Sequence, residues 1–350
     1  MKQFIPVFLI LSIFTLLAVP AKAGNPDRQG EAGAYELLMN PWARSAGLHT
    51  LTTSMITGVE ALQLNVAGLS RINRTEVLIG HSIYLQGVDI NTNAFGFAQR
   101  MGKNGAFGFT LTSLDFGDIR ETTTDQPEGT GATFSPNFFS LGLSYAHLFE
   151  NKVSVGFTLR AISESLSDVS SFGFALDAGV QYVTGEQDNF KFGISLRSVG
   201  SRMNFKGEAL STQRPSPDQG GYNLTFDERT ATFELPSLLN IGASYDFLFG
   251  DLHRLTVVGN FTANSFSRDE IGGGLEYSLN NLFMLRGGYR YELGLDNELE
   301  ASVYKGLSAG VSIEAPLSKE NKKTRLGFDY SYRQTRVWNG THNFSVRISI

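Results

Sequence analysis

Bulky apolar side chains recur at every second position over long stretches of this chain. From Val153 to Arg160, Val153, Val155, Phe157 and Leu159 alternate with Ser154, Gly156, Thr158 and Arg160. Phe139, Leu141, Leu143 and Tyr145 repeat the pattern, as do Phe190, Phe192, Ile194 and Leu196, and Leu326, Phe328, Tyr330 and Tyr332. A period of two is the signature of a β-strand with two unlike faces. One face here is bulky and apolar, the other small or charged.

Strand length separates a soluble sandwich from a membrane wall. Soluble strands cluster near about 5 or 6 residues, whereas a strand that crosses a bilayer at a steep tilt needs about 9–11. Candidate strands span 75–86, 91–101, 105–114, 138–149, 152–163, 173–183, 190–198, 237–249, 253–264, 269–279, 282–291, 301–315, 323–334 and 341–350. That is an even number, as bacterial outer-membrane barrels require. Connections alternate between short (102–104, 151, 184–189, 250–252, 280–281, 316–322) and long, with 115–137 and 199–236 the longest. Barrels keep short turns in the periplasm and long loops outside, so the pattern places both ends of the mature chain in the periplasm. The expected fold is all-β: a 14-stranded antiparallel transmembrane β-barrel over 75–350, preceded by an N-terminal plug or hatch segment, 24–74, with short helices.

Composition agrees. The 350 residues include 38 Gly, 27 Phe and no Cys, with 18% charged residues. Average Gly usage is only about 7% and average charged content about 25%. A net charge of −5 provides no electrostatic footprint for nucleic acid. Met1 to Ala23 has Lys2, an apolar run and the ending Ala21-Lys22-Ala23, the pattern of a secretory signal peptide cleaved after Ala23. Elsewhere the sequence contains no apolar window long enough for a helical span.

The segment before the first strand carries motifs of its own: Gly33-Ala34-Tyr35-Glu36-Leu37-Leu38, Ala43-Arg44, Gly58-Val59-Glu60-Ala61-Leu62 and Asn65-Val66-Ala67-Gly68-Leu69. Together with Ser113-Leu114-Asp115-Phe116-Gly117-Asp118-Ile119, the run Pro127–Pro136 and the closing Gly340-Thr341-His342-Asn343-Phe344-Ser345, they resemble the PorV/PorQ family of outer-membrane barrels, over nearly the whole mature chain. That resemblance implies a non-enzymatic role in type IX protein secretion: binding or shuttling secreted cargo, or anchoring a surface attachment complex. The family is similar in architecture to FadL-type transporters, whose hatch contains Asn-Pro-Ala-Gly-Leu. Val66 replaces the Pro here, while Asn65, Gly68 and Leu69 keep the rest of the hatch motif. The competing expectation is a FadL-like transporter for hydrophobic small molecules, with a continuous apolar pocket between plug and wall. The expected partners are the outer-membrane bilayer and secreted proteins or other secretion components.

Catalytic and cofactor motifs find little support. The five His, at 49, 81, 147, 253 and 342, form no metal-ligand pair. Gly272-Gly273-Gly274 lacks the spacing of a phosphate loop, and no G-x-S-x-G elbow is present. Asp118, Glu121, Asp125 and Glu128 make an acidic loop without calcium-loop spacing. No cofactor is expected. Arg286, Arg290, Arg325, Asp329, Arg333 and Arg347 share the inward face of the last strands; an ion-pair network holding the plug is the first reading, a path for an anionic solute the second. Phe134, Phe138 and Phe139 sit where the 115–137 loop re-enters the membrane, and suit a partner anchor or the outer aromatic girdle. Tyr222 and Phe226 belong to the long loop, large enough for a lid or docking surface.

Overall fold

The computed structural model describes residues 24–217, 221–295, 301–317 and 324–350. The expected signal peptide lies outside the described residues. Fourteen long strands form the wall: β1 Thr75–Tyr84, β2 Ile90–Met101, β3 Gly105–Asp115, β4 Asn137–Phe149, β5 Val153–Leu166, β6 Val169–Thr184, β7 Phe190–Gly200, β8 Leu238–Phe249, β9 His253–Asn264, β10 Glu270–Leu279, β11 Phe283–Glu292, β12 Tyr304–Pro316, β13 Arg325–Thr335 and β14 Thr341–Ser349. Each pairs antiparallel with its neighbours in sequence. β14 returns to β1, with Glu76 opposite Ser349 through to Ile83 opposite His342, and the sheet closes into a barrel without a long free edge. Among the described residues no helix is long and apolar enough to cross a membrane; the wall crosses with strands.

The alternation sorts side chains as expected. On β5, Phe157 and Leu159 are 52% and 51% exposed, while Ser154 and Thr158 are fully buried and Arg160 is 2% exposed. Outward apolar groups meet lipid and inward polar groups meet the lumen. The expected 164–172 loop is a correction: β5 and β6 continue to Leu166 and from Val169, leaving a tight turn at residues 167–168. The apolar signal fades there because a ladder that projects beyond the bilayer has no lipid to face.

The 116–136 and 201–237 connections lie at the mouth opposite the short turns. Within them, Ile119–Arg120 pairs with Thr133–Phe134, and Ser211–Pro215 with Asn223–Asp227 as a separate hairpin. By the loop-length rule this is the outer mouth.

The N-terminal segment fills the lumen, and its course corrects the sequence expectation that both ends of the mature chain lie in the periplasm. Gly24 bridges Arg268 and Ala32 bridges Glu234, both at the outer mouth. Ala34 and Leu37 then pack with Leu114, Phe138, Ile162, Met203 and Leu235. Helices α1 (Ala43–Ala46) and α2 (Ala61–Leu64) lie deeper, followed by a 3-10 turn at Val66–Arg71. At the inner mouth the N–H of Thr75 reaches the Ile350 carbonyl. Counting strands determines where β1 begins but leaves open where its leader runs.

Inward-facing glycines make room for this segment. A Cβ at Gly96 would fall 2.1 Å from a Val59 methyl, and one at Gly179 2.0 Å from the Asn65 side-chain oxygen. The surplus of Gly therefore reflects close approach of plug to wall as well as strand bending.

Candidate functional site

Asn65 joins three pieces of backbone. Its Nδ2 donates to the carbonyls of Thr53 (2.8 Å) and Val180 (3.2 Å), and its Oδ1 accepts from the N–H of Ala67 (3.3 Å). It opens the turn that the missing Pro would otherwise have preset. A Cβ on Gly68 would meet the Ile56 carbonyl oxygen at 2.0 Å. Leu69 is fully buried with Trp42, Val59, Leu62, Val66 and Ile72 of the plug, and with Leu78, Ala94, Ala98, Ala106 and Ala146 of the wall. The three hatch residues thus sit in one tightly packed knot.

A chain of charges crosses the wall beside that knot. Glu276 accepts from Arg286 (2.5 Å) and Arg254 (3.1 Å). Arg286 donates to Ser312, Ser312 donates to Asp329, and Asp329 pairs with Arg347 at 2.7 Å. Arg347 lies 3.7 Å from Glu60 of the plug, whose other oxygen accepts the Ser45 N–H at 3.0 Å. Arg290 pairs with Glu270 (2.9 Å) and Arg325 with Glu314 (2.6 Å). Arg333 stands apart, its guanidinium 4.5 Å from the Tyr304 ring centroid. The acids Glu60, Glu270, Glu276 and Glu314, and the separate Arg160–Asp177 pair at 2.7 Å, were not anticipated from sequence. For those on strands, inward parity was the available signal; Glu276, for instance, is directly opposite Arg286 across β10 and β11.

His49 of the plug is buried, edge-on to Tyr304 with ring centroids 5.5 Å apart. Neither ring nitrogen has a hydrogen-bond partner. Burial, reinforced by the nearby Arg290 and Arg333, holds its pKa well below the usual histidine range. Burial raises the carboxyl of Glu36 and that of Glu60, where Arg347 opposes the shift. At the outer rim, hydrogen bonds from Arg28 and then Arg202 hold the Glu234 carboxyl below its ordinary value, clipping the leader to the long loop.

The aromatic loop residues fall into different environments. Tyr222 and Phe226 are 53% and 45% exposed on the outer hairpin. Phe134 is half-buried on the short ladder opposite Ile119. Phe139 faces outward. Phe138 corrects the expectation of an accessible anchor: it is 2% exposed and packed against Leu37, Ile162 and Met203. As neighbours on one strand, Phe138 and Phe139 necessarily take opposite faces.

Charged and apolar side chains share the lining of the two inner cavities among the described residues. One of about 230 Å³ opens at the inner mouth between Arg44, Arg71, Asp188, Lys191 and Arg254. A space of about 20 Å³, which shares Arg44, Met55 and Glu276 with it, is also lined by Leu48, Ile56 and Arg286. At the outer mouth about 370 Å³ is bounded by Arg28, Glu31, Arg202, Thr232 and Glu234. These surroundings suit non-covalent recognition of polar groups.

The sequence over residues 83–348 matches the family described as "Type IX secretion system membrane protein PorP/SprF". No curated protein sequence matches the chain. Among solved structures it is similar to a TodX monoaromatic hydrocarbon channel carrying the deltaS2S3 deletion (TM-score 0.56, 15% identity, 88% of this chain and 98% of that one). It is also similar to the Ralstonia pickettii toluene transporter TbuX (0.55, 13%, 88% and 97%) and to a Pseudomonas aeruginosa FadL homologue (0.51, 11%, 88% and 97%). At such identities the likeness is one of fold: a closed fourteen-stranded outer-membrane barrel with short N-terminal helices.

Proposed function

Because the chain belongs to the PorP/SprF family of type IX secretion system membrane proteins, we propose that it holds secreted cargo or another secretion component at the outer membrane through its long loops. The family match carries this reading. The exposed Tyr222 and Phe226 support it, since solvent-facing aromatic groups in a protruding loop suit a protein partner. The Arg and Glu side chains set among the apolar ones in both inner cavities support it too, because they interrupt the continuous apolar lining that a passage for apolar solutes calls for.

Residues 24–74 act in this reading as a standing plug, and the inward Arg and acid residues as the network that seats it. Capture is non-covalent. The finer role implied by the PorV/PorQ resemblance, relay of cargo to an attachment complex, belongs to this proposal. Most of the motifs that carry that resemblance, residues 33–69, precede the matched 83–348. Cleavage of residues 1–23 by signal peptidase belongs to it as well.

A FadL-like transporter for hydrophobic molecules is the competing reading, favoured by the fold of the hydrocarbon channels. Affinity purification from outer membranes, followed by mass spectrometry, separates the two. Co-purification of secretion components or C-terminally signalled proteins, reduced when Tyr222 and Phe226 are both replaced by Ser, is expected. A lone barrel carrying a lipid-like ligand would overturn the assignment.

A further inference from the structure

The cavity at the inner mouth is basic in a protein whose net charge is −5. Arg44, Arg71, Lys191 and Arg254 line it, against Asp188 and Glu276. Glu276 is already shared between Arg254 and Arg286, and Lys191 is paired with Asp246 at 2.5 Å. Arg44, at the base of the plug helix α1, makes no hydrogen bond or ion-pair contact among the described residues, and the carboxylates of Glu276, Glu60 and Asp329 attract it only through space. Arg71 reaches only the Lys152 carbonyl, at 3.0 Å. A guanidinium without an ion-pair contact of its own, on a space of about 230 Å³ whose lining holds more cationic than anionic side chains, suits acceptor oxygens.

We propose that this cavity is an oxyanion site, taking a small phosphate- or carboxylate-bearing solute from the periplasmic side. Arg44 supplies the fork, and Arg71 and Arg254 close around the anion. Thr57 and Thr256 add hydroxyls to the lining. The polar residues at the cavity's wall, Gln181, Thr256 and Glu276, are buried on lumenal faces, so the site is approached from the inner mouth instead of from the lipid. The space holds a multi-atom anion with its water. Because Arg44 comes from the plug while Arg254 and Lys191 come from the wall, a bound anion clamps plug to wall.

The test is calorimetric titration of the detergent-solubilised full-length barrel, at low salt, with inorganic pyrophosphate, with citrate and with short-chain phosphatidylglycerol. Saturable binding of pyrophosphate or citrate is expected, weakened by about tenfold or more in Arg44→Gln, since a charge-assisted hydrogen bond is lost. Arg44→Lys retains charge without the fork and falls in between; Arg71→Gln serves as the second variant if Arg44→Gln does not yield a compact barrel on unheated gels. Binding also weakens as salt rises. Absence of saturable binding by both solutes, or affinities unchanged in the Arg44 and Arg71 variants, overturns the proposal. Binding confined to phosphatidylglycerol overturns it as well, assigning the basic lining to a lipid headgroup.

Discussion

Gly58–Ser70 and the outer hairpin of Ser211–Pro215 with Asn223–Asp227 stand at opposite extremes of one molecule. Every residue of the first is buried, including Glu60, Gln63, Asn65 and Ser70. Nearly every described residue of the second is exposed, including Tyr222, Leu224 and Phe226, which share one face at period two. The plug spends its polar groups inward: Gln63 donates to the Leu37 carbonyl, and Asn65 to those of Thr53 and Val180. The hairpin relies on its own backbone ladder and leaves its apolar side chains uncovered. Buried polar residues tied to backbone, as Gln63 and Asn65 are, serve the fold, whereas uncovered apolar ones serve contact with something else.

Substitutions should divide along that line. Arg160→Ala, which strands the buried Asp177 and removes a 3.1 Å bond to the Leu62 carbonyl, should destabilise the barrel by about 3–5 kcal/mol in detergent unfolding. A midpoint close to wild type would mean that the pair is not the anchor between wall and plug. Gly68→Ala forces a methyl against the Ile56 carbonyl and should cost about 1–3 kcal/mol, read by the same unfolding curve and by increased proteolysis within 43–72.

His49 gives a smaller, pH-dependent effect. Its folded pKa lies below the unfolded value of about 6.5. Below that pH the unfolded chain takes up a proton that the folded one refuses. The stabilisation is therefore complete above about pH 6.5 and is lost as pH falls through the lower, folded pKa. Unfolding midpoints measured from pH 7.5 down to 5 should fall less steeply in His49→Asn than in wild type. Equal slopes would show that His49 is protonated or solvated in the fold.

The smallest effect on stability belongs to the hairpin. Tyr222→Ser and Phe226→Ser should each change it by less than about 0.5 kcal/mol while reducing recovery of co-purifying protein. A loss of stability comparable to that of the plug variants would abolish the contrast and make the hairpin part of the fold.

Much of the wall was legible in the sequence because parity is local. Phe157 and Thr158 take opposite faces whatever their partners, and each expected strand has a counterpart within a few residues. The β5–β6 turn was misjudged because Ser163–Ser171 lacks the apolar beat outside the bilayer. In the candidate site, the inward placement of Arg286, Asp329 and Arg347 was readable from parity. Their acids were harder to see: Glu60 comes from the plug, more than two hundred residues from Arg347. Phe138 looked like a loop aromatic because it adjoins Phe139, yet the lumenal cluster of Leu37, Ile162 and Met203 covers it.

The sequence by itself determined a membrane barrel, the number of its strands and the face each residue takes, since period and strand length follow from backbone geometry and bilayer thickness. Tertiary structure decided the rest. Barrel closure and register bring Glu276 to Arg286 and Asp329 to Arg347, and the glycines that face inward become a seat only when the plug lies against them. The leader enters at the outer mouth because its Ala34 and Leu37 find burial there beside Met203 and Leu235. No local pattern encodes that meeting, because burial is settled by whichever surfaces the closed barrel brings together.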